Sequence, residues 1–574
     1  MHKHLTTIFV SGLLIFSLSA NAAINLQFFI TGVAGPEQKN ILERLKIHQE
    51  PYNGKLTVRD VKRSYHESHD QIKEAIAPFG YLKPTIQSAL LHRGDNWQAH
   101  YKITLGPRLK ITELTIKLLG EGKNDPAYQK LLAHVSLKEG DVFNAEKYIK
   151  TKQKFYDVAT DRGYFKASMI KSVVKIDKQT YRCYITIIFN TGPRYRFGLV
   201  TFTPTPFAEK FLQRFVPFKP GQYYHDDEVQ KLRHNLESAS YFEGVTIKQK
   251  PNKANKRLEV PIDVKIVPRK PKRYSLGAGY GTDTGPRVLL GIDWRRLTPT
   301  GDQFNTEAKL SYIQQTLNAN YIIPGSNPAT DQYRIFATGQ KYNDKDTGQF
   351  YTSGKVGVSY TTLIWGWQPI LSLNMIVERY ELIGFPTENA ILLMPSLRLT
   401  RIHSDDVLRP TKGYSISLLG RGAYTKLLSS VDFYQLRADF KWLRSLTKYQ
   451  RVFLHSTFGY TDIHNINDLP LSLQFAAGGA QSIRGYPYRK LIYGRYITVL
   501  GVELQQRVFG NFYILGFTDM GSVNAKPFGP WVRSAGPGVM WLSPVGALKL
   551  TVAKPFNSTN KKAWMIQFAM GPEL

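Results

Sequence analysis

The stretch Gly478-Gly479-Ala480-Gln481-Ser482-Ile483-Arg484-Gly485-Tyr486-Pro487-Tyr488 sets one arginine among apolar and glycine neighbours, between two segments that read as membrane strands. Some 35 residues on, Phe517-Thr518-Asp519-Met520-Gly521 puts an acid into an otherwise apolar strand. A buried charge is very costly unless it is paired. An arginine in a loop and an acid on a barrel wall therefore suggest that the loop folds inward and is pinned there. An exposed loop arginine and an unrelated turn aspartate are the alternative, and spacing alone leaves both open.

The wall is read from the flanking sequence. From Arg269-Lys270-Pro271-Lys272-Arg273 onward helical periodicity vanishes. Segments such as Arg287–Thr298, Gln332–Lys341, Trp367–Tyr380, Ile391–Arg401 and Tyr496–Arg507 alternate in polarity, separated by short polar turns. A transmembrane β-strand needs about 9–11 residues, and the pattern predicts about 16 of them, antiparallel, in a barrel. A soluble propeller would need Trp-Asp repeats, which are absent, and would not collect Tyr, Phe and Trp near strand ends. Glu503 shares a face with Gly501 and Gln505, so it is a second candidate partner for Arg484. Leu515, Phe517 and Asp519 share the corresponding face of the next strand and are expected to touch folded-in protein.

Residues 23–268 read as a threefold repeat. Phe79-Gly80-Tyr81, Arg162-Gly163-Tyr164-Phe165 and Ser240-Tyr241-Phe242 each follow a helical stretch, Val58–Ala77, Ala145–Thr160 and Asp226–Ala239. Each precedes two alternating segments. Glycine after the helix fits a left-handed C-cap; Ser240 in the third repeat requires a different ending. Strand, helices and two strands make a small α+β domain with a free sheet edge that can accept a guest strand. The expected domains are 23–107, 108–193 and 194–268, followed by the barrel over 269–574.

Lys3, the apolar run from Ile8 to Leu18 and Ala20-Asn21-Ala22 predict a secretory leader over residues 1–22, cleaved after Ala22. Cys183 is the only cysteine, so no internal disulfide forms. The 76 Lys and Arg exceed the 44 Asp and Glu by 32, spread over both halves. A nucleic-acid arm would concentrate that excess; a diffuse one suits anionic lipid headgroups or anionic partners. No nucleophile elbow, phosphate loop or His-Glu-x-x-His motif occurs, and His225-Asp226-Asp227-Glu228 reads as a helix N-terminus rather than a metal site. An enzyme is not expected, and neither a cofactor nor a metal.

The two ends of the barrel differ from its middle. In the first strand Tyr274, Leu276, Ala278 and Tyr280 share one face, and Ser275, Gly277, Gly279 and Gly281 the other. Interior glycines weaken a strand. The last strand, Ala563–Gly571, carries Trp564, Ile566, Phe568 and Met570 on one face and stops at Gly571-Pro572, where proline cannot donate to a ladder. The seam between these strands is expected to be the weakest, a candidate lateral gate. The alternative is that the glycines only make room for the inward loop.

Ile483-Arg484-Gly485-Tyr486 resembles the loop-six motif of the BamA and TamA superfamily of outer-membrane assembly and translocation proteins, and Phe517–Gly521 its Phe-x-Asp-x-Gly motif. The ending Ala569-Met570-Gly571-Pro572-Glu573-Leu574 is similar to the TamA branch, and the repeats resemble polypeptide-transport-associated (POTRA) domains. The resemblance implies an outer-membrane barrel with periplasmic domains, a loop-six lock of Ile483, Arg484, Gly485, Tyr486, Glu503, Phe517, Asp519 and Gly521, and seam strands that exchange partners. It also implies unfolded outer-membrane proteins of the autotransporter type as substrates, an inner-membrane-anchored TamB-like partner and a role with outer-membrane lipids. Thr551 stands where that family often has an acid, which argues against a lumenal charge network relying on its strand. Two other readings stay open: a two-partner secretion pore, which usually has two such domains and a plug helix, and a passive porin.

Overall fold

The computed structural model describes residues 24–47, 56–94, 96–281, 285–345, 347–381, 386–406, 409–544, 546–556, 564–571 and 573–574. The expected leader over 1–22, its cleavage point, Ala563 and Pro572 lie outside the described residues.

The first repeat holds β1 (Asn25–Thr31), α1 (Gly35–Ile47), α2 (Val58–Ile76), β2 (Thr85–Arg93) and β3 (Asn96–Thr104). Thr57 and Asp60 close a capping box at the start of α2. Trp97, Ala99, Tyr101 and Ile103 alternate along β3 and bury one face of the sheet with Ile41, Leu45, Val61 and Ile72. β3 takes the centre, with β1 parallel and β2 antiparallel to it. The second repeat repeats the plan with β4 (Lys110–Leu119), α3 (Pro126–Ala133), α4 (Ala145–Arg162), β5 (Ser168–Asp177) and β6 (Arg182–Asn190) in the order β4-β6-β5. Cys183 sits fully buried on the central β6, where burial pushes its thiol up to about 11, so it packs as a small apolar residue. The third has β7 (Arg196–Phe202), α5 (Glu209–Gln213), α6 (Asp226–Ser238), β8 (Phe242–Gln249) and β9 (Glu259–Pro268), ordered β7-β9-β8. Gly80 and Gly163 are left-handed after their helices, whereas none of residues 239–241 has a positive φ.

The chain forms two compact units. One holds the described residues up to Gly198 with Pro220–Asp227 and Pro251–Val260, and the other holds Leu199–Lys219, Glu228–Lys250 and Pro261–Leu574. Within the second unit, the third repeat meets the turns of the barrel. Ala208 N–H donates to the Pro299 carbonyl at 2.9 Å and the Tyr241 hydroxyl to the Gly301 carbonyl at 2.7 Å. The Arg214 guanidinium donates to the carbonyls of Pro324, at 2.6 Å, and Gly325.

The barrel is one antiparallel sheet of 16 strands in sequence order. They are β10 (Lys272–Gly281), β11 (Gly285–Trp294), β12 (Gln303–Ser311), β13 (Gln314–Pro324), β14 (Gln332–Asp344), β15 (Gln349–Thr361), β16 (Gln368–Glu381) and β17 (Glu388–Ser404), followed by β18 (Lys412–Ala423), β19 (Phe433–Ser445), β20 (Gln450–Ile463), β21 (Tyr496–Phe509), β22 (Phe512–Asn524), β23 (Val532–Ser543), β24 (Gly546–Pro555) and β25 (Met565–Gly571). Alternation is clearest on β14, where Tyr333 and Ile335 face outward, about half exposed, while Arg334, Phe336 and Thr338 face the lumen. The expected segment Arg287–Thr298 ends earlier than read, at Trp294, because residues 295–302 form the turn that meets the third repeat. Conversely β17 reaches 17 residues, beyond the Ile391–Arg401 core of its pattern.

Candidate functional site

The connection between β20 and β21 is the sixth at the barrel end away from the third repeat, and it turns back into the lumen. Three-dimensional packing explains its apolar composition. Leu469, Leu471, Leu473, Phe475 and Ala477 are all buried. Leu471 packs with Tyr342, Tyr351 and Tyr380 of β14, β15 and β16. The loop backbone is held by the wall as well: Ser472 N–H donates to Glu378 Oε1 at 3.0 Å, and the Leu473 carbonyl accepts from Arg421 Nη2 at 3.0 Å and Gln435 Nε2 at 3.2 Å. Loop six thus bridges the lumen from β14 to β19 before its arginine reaches β21 and β22.

There Arg484 is 5% exposed, and the wall strands supply its partners from adjacent inward positions. Asp519 lies opposite Gly501, and Glu503 opposite Phe517. Arg484 Nε and Nη2 donate to the two oxygens of Asp519 at 2.7 and 2.8 Å, its backbone N–H donates to Asp519 Oδ2 at 3.0 Å, and Nη1 donates to Glu503 Oε2 at 2.6 Å. The guanidinium also lies 3.6 Å from the centroid of the Phe517 ring. Both acids named from the sequence therefore contact Arg484, with the bidentate fork going to Asp519.

The rest of the motif supplies geometry. Gly485 has φ +84°, a conformation that side chains resist, and its N–H donates to Gln567 Oε1 at 2.9 Å. Gly521 leaves the space Ile483 needs: a Cβ there would lie 2.6 Å from Ile483 Cδ1 and 2.6 Å from the Thr498 carbonyl oxygen. Ile483 is fully buried among Phe475, Ala477, Ile497 and Val499. The Tyr486 hydroxyl donates to the Arg533 carbonyl at 3.2 Å.

Four further residues extend the site beyond what sequence reasoning named. Lys549 on β24 donates to Glu503 Oε1 at 2.7 Å and lies 3.1 Å from Glu573 Oε1. Glu573, beyond the last strand, turns into the lumen, 5% exposed, and pairs with Arg451 at 2.8 Å. Gln505 Nε2 bridges Glu503 and Glu573 at 2.6 and 2.9 Å. The result is one alternating chain, Asp519–Arg484–Glu503–Lys549–Glu573–Arg451, with as many cations as carboxylates. Thr551 only donates to the Gln567 carbonyl at 3.3 Å, yet its strand does join the charge network: Lys549, two residues earlier on the same face, enters it with the opposite sign to the acid the resemblance led one to expect. The inward parity of Lys549 was readable in the sequence. The return of Glu573 past Pro572 carries no periodic signal.

The seam strands occupy the two ends of the sheet. β10 and β25 come within contact distance, but no ladder joins them among the described residues. Tyr274, Leu276 and Tyr280 face outward at 71%, 82% and 61% exposure, while Gly277, Gly279 and Gly281 face inward. Trp564, Ile566 and Met570 are exposed, Phe568 is half-buried, and Gly571 ends the strand at φ +152°. Inward-facing Gln567 is completely buried and grips loop six twice, accepting from Gly485 N–H and donating from Nε2 to the Tyr486 carbonyl at 3.2 Å. The seam strand and the loop are therefore physically joined. Away from the barrel, ligand atoms of Asp161, His225 and Asp227 lie within 4.8 Å of one another at the start of α6, where His225 Nδ1 accepts from Asp227 N–H at 3.3 Å as an N-terminal cap would.

Residues 297–573 match the Omp85 superfamily domain, residues 27–105 match the POTRA domain TamA domain 1, and residues 121–192 and 195–269 each match the surface antigen variable number repeat, a POTRA domain. The outer membrane protein assembly factor BamA of Neisseria meningitidis serogroup B is 23% identical over 262 residues, which is 38% of this chain and 32% of that protein. BamA of Buchnera aphidicola subsp. Acyrthosiphon pisum is 22% identical over 220 residues, 38% of this chain and 35% of that protein. The matches thus span about a third of the length of these relatives. Among solved structures, BamA from Haemophilus ducreyi lacking POTRA domains 1-3 shares the fold with a TM-score of 0.65 at 18% identity, covering 80% of this chain and 99% of that one.

Proposed function

Since the chain belongs to the BamA and TamA superfamily, the Omp85 proteins, with its barrel in the outer membrane and its POTRA domains in the periplasm, we propose that it is a TamA-type factor that inserts or exports β-barrel and autotransporter-type proteins through a lateral gate between β10 and β25. The observation that carries this reading is the seam, where no ladder joins β10 to β25 among the described residues and the last strand holds loop six through Gln567. An open edge in lipid leaves backbone amides unsatisfied, so an incoming strand gains hydrogen bonds by pairing there. Gly277 and Gly279 lower the packing that a resident strand would lose on exchange. The free edges of the three small sheets support capture of extended substrate in the periplasm. The TamA-type first domain supports a TamB-like periplasm-spanning partner and a contribution to lipid delivery as parts of the same proposal. Three such domains favour assembly over the two-domain secretion pore.

The seam is tested by cysteines placed near Gly277 and near Phe568 on the same face of the sheet, such as Ala278 with Phe568, in a Cys183→Ser background, with neighbouring registers included. Crosslinking is expected to abolish substrate assembly while the barrel stays folded and heat-modifiable in gels. A locked barrel that assembles substrate as well as the reduced one would overturn the gate.

A further inference from the structure

The charges of the lumen are arranged in two contrasting ways. Around loop six they alternate and balance. On the wall formed by β10 to β18 they do not. A cavity of about 630 Å³ there is lined by Arg273, Arg334, Lys355, Arg398 and Arg421, against two acids, Asp293 and Glu307. Both acids are already engaged, Asp293 by Arg273 at 2.7 Å and Glu307 by Lys309 at 2.8 Å. Among the described residues no carboxylate lies within 4 Å of the other four cations.

Their direct contacts are all neutral, and Asp439, the acid that acts on Arg398 from further off, is already held by Arg437 at 2.8 Å. Arg398 Nη1 donates to Ser417 Oγ at 3.2 Å, Arg421 Nε to Gln435 Oε1 at 2.8 Å, and Lys355 lies 5.5 Å from the Phe336 ring centroid. Arg334 Nε is buried with no hydrogen-bond partner. Register forces these cations together. Arg421 pairs with Ser396, two residues from Arg398 on the same strand; Arg334 pairs with Ser359, four residues from Lys355. At the diagonal separation of Arg421 and Arg398 like charges destabilise the sheet unless counter-charge arrives from outside it, while Arg334 stands about 13 Å along the strand from Lys355 and is set apart by burial instead. Arg273, Arg334 and Arg398 lie on the halves of β10, β14 and β17 nearest the third repeat, whereas Arg421 lies toward the other end of β18 against loop six, so the cavity runs from the periplasmic side of the lumen up to the loop.

We propose that this cavity is a binding site for a phosphate-bearing anion, taken from the periplasmic side. Arginine forks match the paired oxygens of a phosphate, and the amide of Asn318, which also lines the cavity, adds a neutral donor for its remaining oxygens. The volume suits a headgroup-sized ligand, and the polar lining gives no place to acyl chains. The anion is either the headgroup of an anionic phospholipid or a soluble phosphate; both offer the same chemistry. Four of the cations lie on β14, β15, β17 and β18, away from the seam, and only Arg273, already paired with Asp293, is on the seam strand β10.

The test uses the full mature protein in phosphatidylcholine nanodiscs, titrated calorimetrically with inorganic pyrophosphate. One saturable site is expected, weakened at least about tenfold in Arg334→Gln/Arg421→Gln and in the separate pair Lys355→Gln/Arg398→Gln, since each removes two charge-assisted contacts. Lys448→Gln, in a turn outside the cavity, leaves binding unchanged. Heat-modifiability in gels verifies that each variant is folded, and the two pairs fail independently. A second arm adds phosphatidylglycerol to the nanodiscs. If the lipid headgroup is the ligand, it competes with pyrophosphate, and native mass spectrometry retains it on the wild type but not on the variants. If soluble phosphate is the ligand, no competition occurs. The proposal falls if pyrophosphate shows no saturable binding and no lipid is retained, if both variant pairs bind as the wild type does, or if only a glutamate-rich peptide occupies the lumen.

Discussion

Replacing Arg484 with alanine separates the two acids it holds, and the structure predicts that they suffer unequally. Asp519 loses both guanidinium bonds, at 2.7 and 2.8 Å, and keeps only the backbone N–H at 3.0 Å and His455 at 3.5 Å. Glu503 loses one bond at 2.6 Å but keeps Lys549 at 2.7 Å and Gln505 at 2.6 Å. Breaking a buried pair by removing one partner typically costs about 3–5 kcal/mol, mostly the penalty of the stranded charge. We therefore expect Arg484 and Asp519 to couple by about 3 kcal/mol and Arg484 and Glu503 by about 1 kcal/mol. At about 1.4 kcal/mol per decade, the larger figure moves the balance between inserted and released loop by roughly a hundredfold.

Trypsin reads that balance at Arg489, a half-buried residue of loop six whose guanidinium donates to the Leu471 carbonyl at 3.0 Å in the inserted loop. Cleavage after Arg489 in the folded protein, followed by mass spectrometry for Arg484→Ala, Asp519→Ala, Glu503→Gln and the two double variants, gives both cycles. If Arg484 and Asp519 prove additive within about 0.5 kcal/mol, the pin is not electrostatic. Loop six is then held by the packing of Ile483 and Tyr486. If the Glu503 coupling exceeds the Asp519 coupling, the fork is not the dominant contact, and the reasoning from satisfied partners is wrong.

Three further outcomes are expected. Glu573→Gln strands Arg451 and leaves Lys549 one carboxylate, so loop-six cleavage rises by about tenfold although Glu573 never touches the loop; unchanged protection would show that the network does not transmit. Gly521→Ala drives a methyl into Ile483 and the Thr498 carbonyl, destabilising the inserted loop by about 1–3 kcal/mol, measured by the same cleavage and by a lower thermal transition in detergent. In the second repeat burial alone would raise the pKa of Asp125, but the Ala127 N–H, the Tyr164 hydroxyl and the Arg162 guanidinium hold it below the usual aspartate range. A depressed folded pKa gives stability that is present above the unfolded value of about 3.9 and is lost as pH falls through the folded value. Thermal melts of a fragment spanning residues 24–268 should show that loss on acidification below about pH 4, and Asp125→Asn should flatten it.

The period of two along the second half of the chain was enough to state a barrel of about 16 strands, because lipid outside and protein or water inside impose opposite polarity on successive residues. The same parity put Glu503 and Asp519 on the lumen face, as the structure has them. The strand-helix-strand repeats declared three α+β domains for a similar reason: each sheet buries one face, so its central strand alternates. Tertiary structure alone decided which acid receives the arginine fork, since that depends on how the left-handed turn at Gly485 aims the side chain. It also decided that Lys549, Gln567 and Glu573 belong to the same site. Parity tells which way a side chain points, but not which strand lies across the lumen, and Glu573 follows the last strand, where no period applies. The uncompensated cations at Arg334, Lys355, Arg398 and Arg421 were equally invisible. Each is an ordinary inward residue in its own strand, and only the strand register and the curl of the sheet gather the four around one cavity.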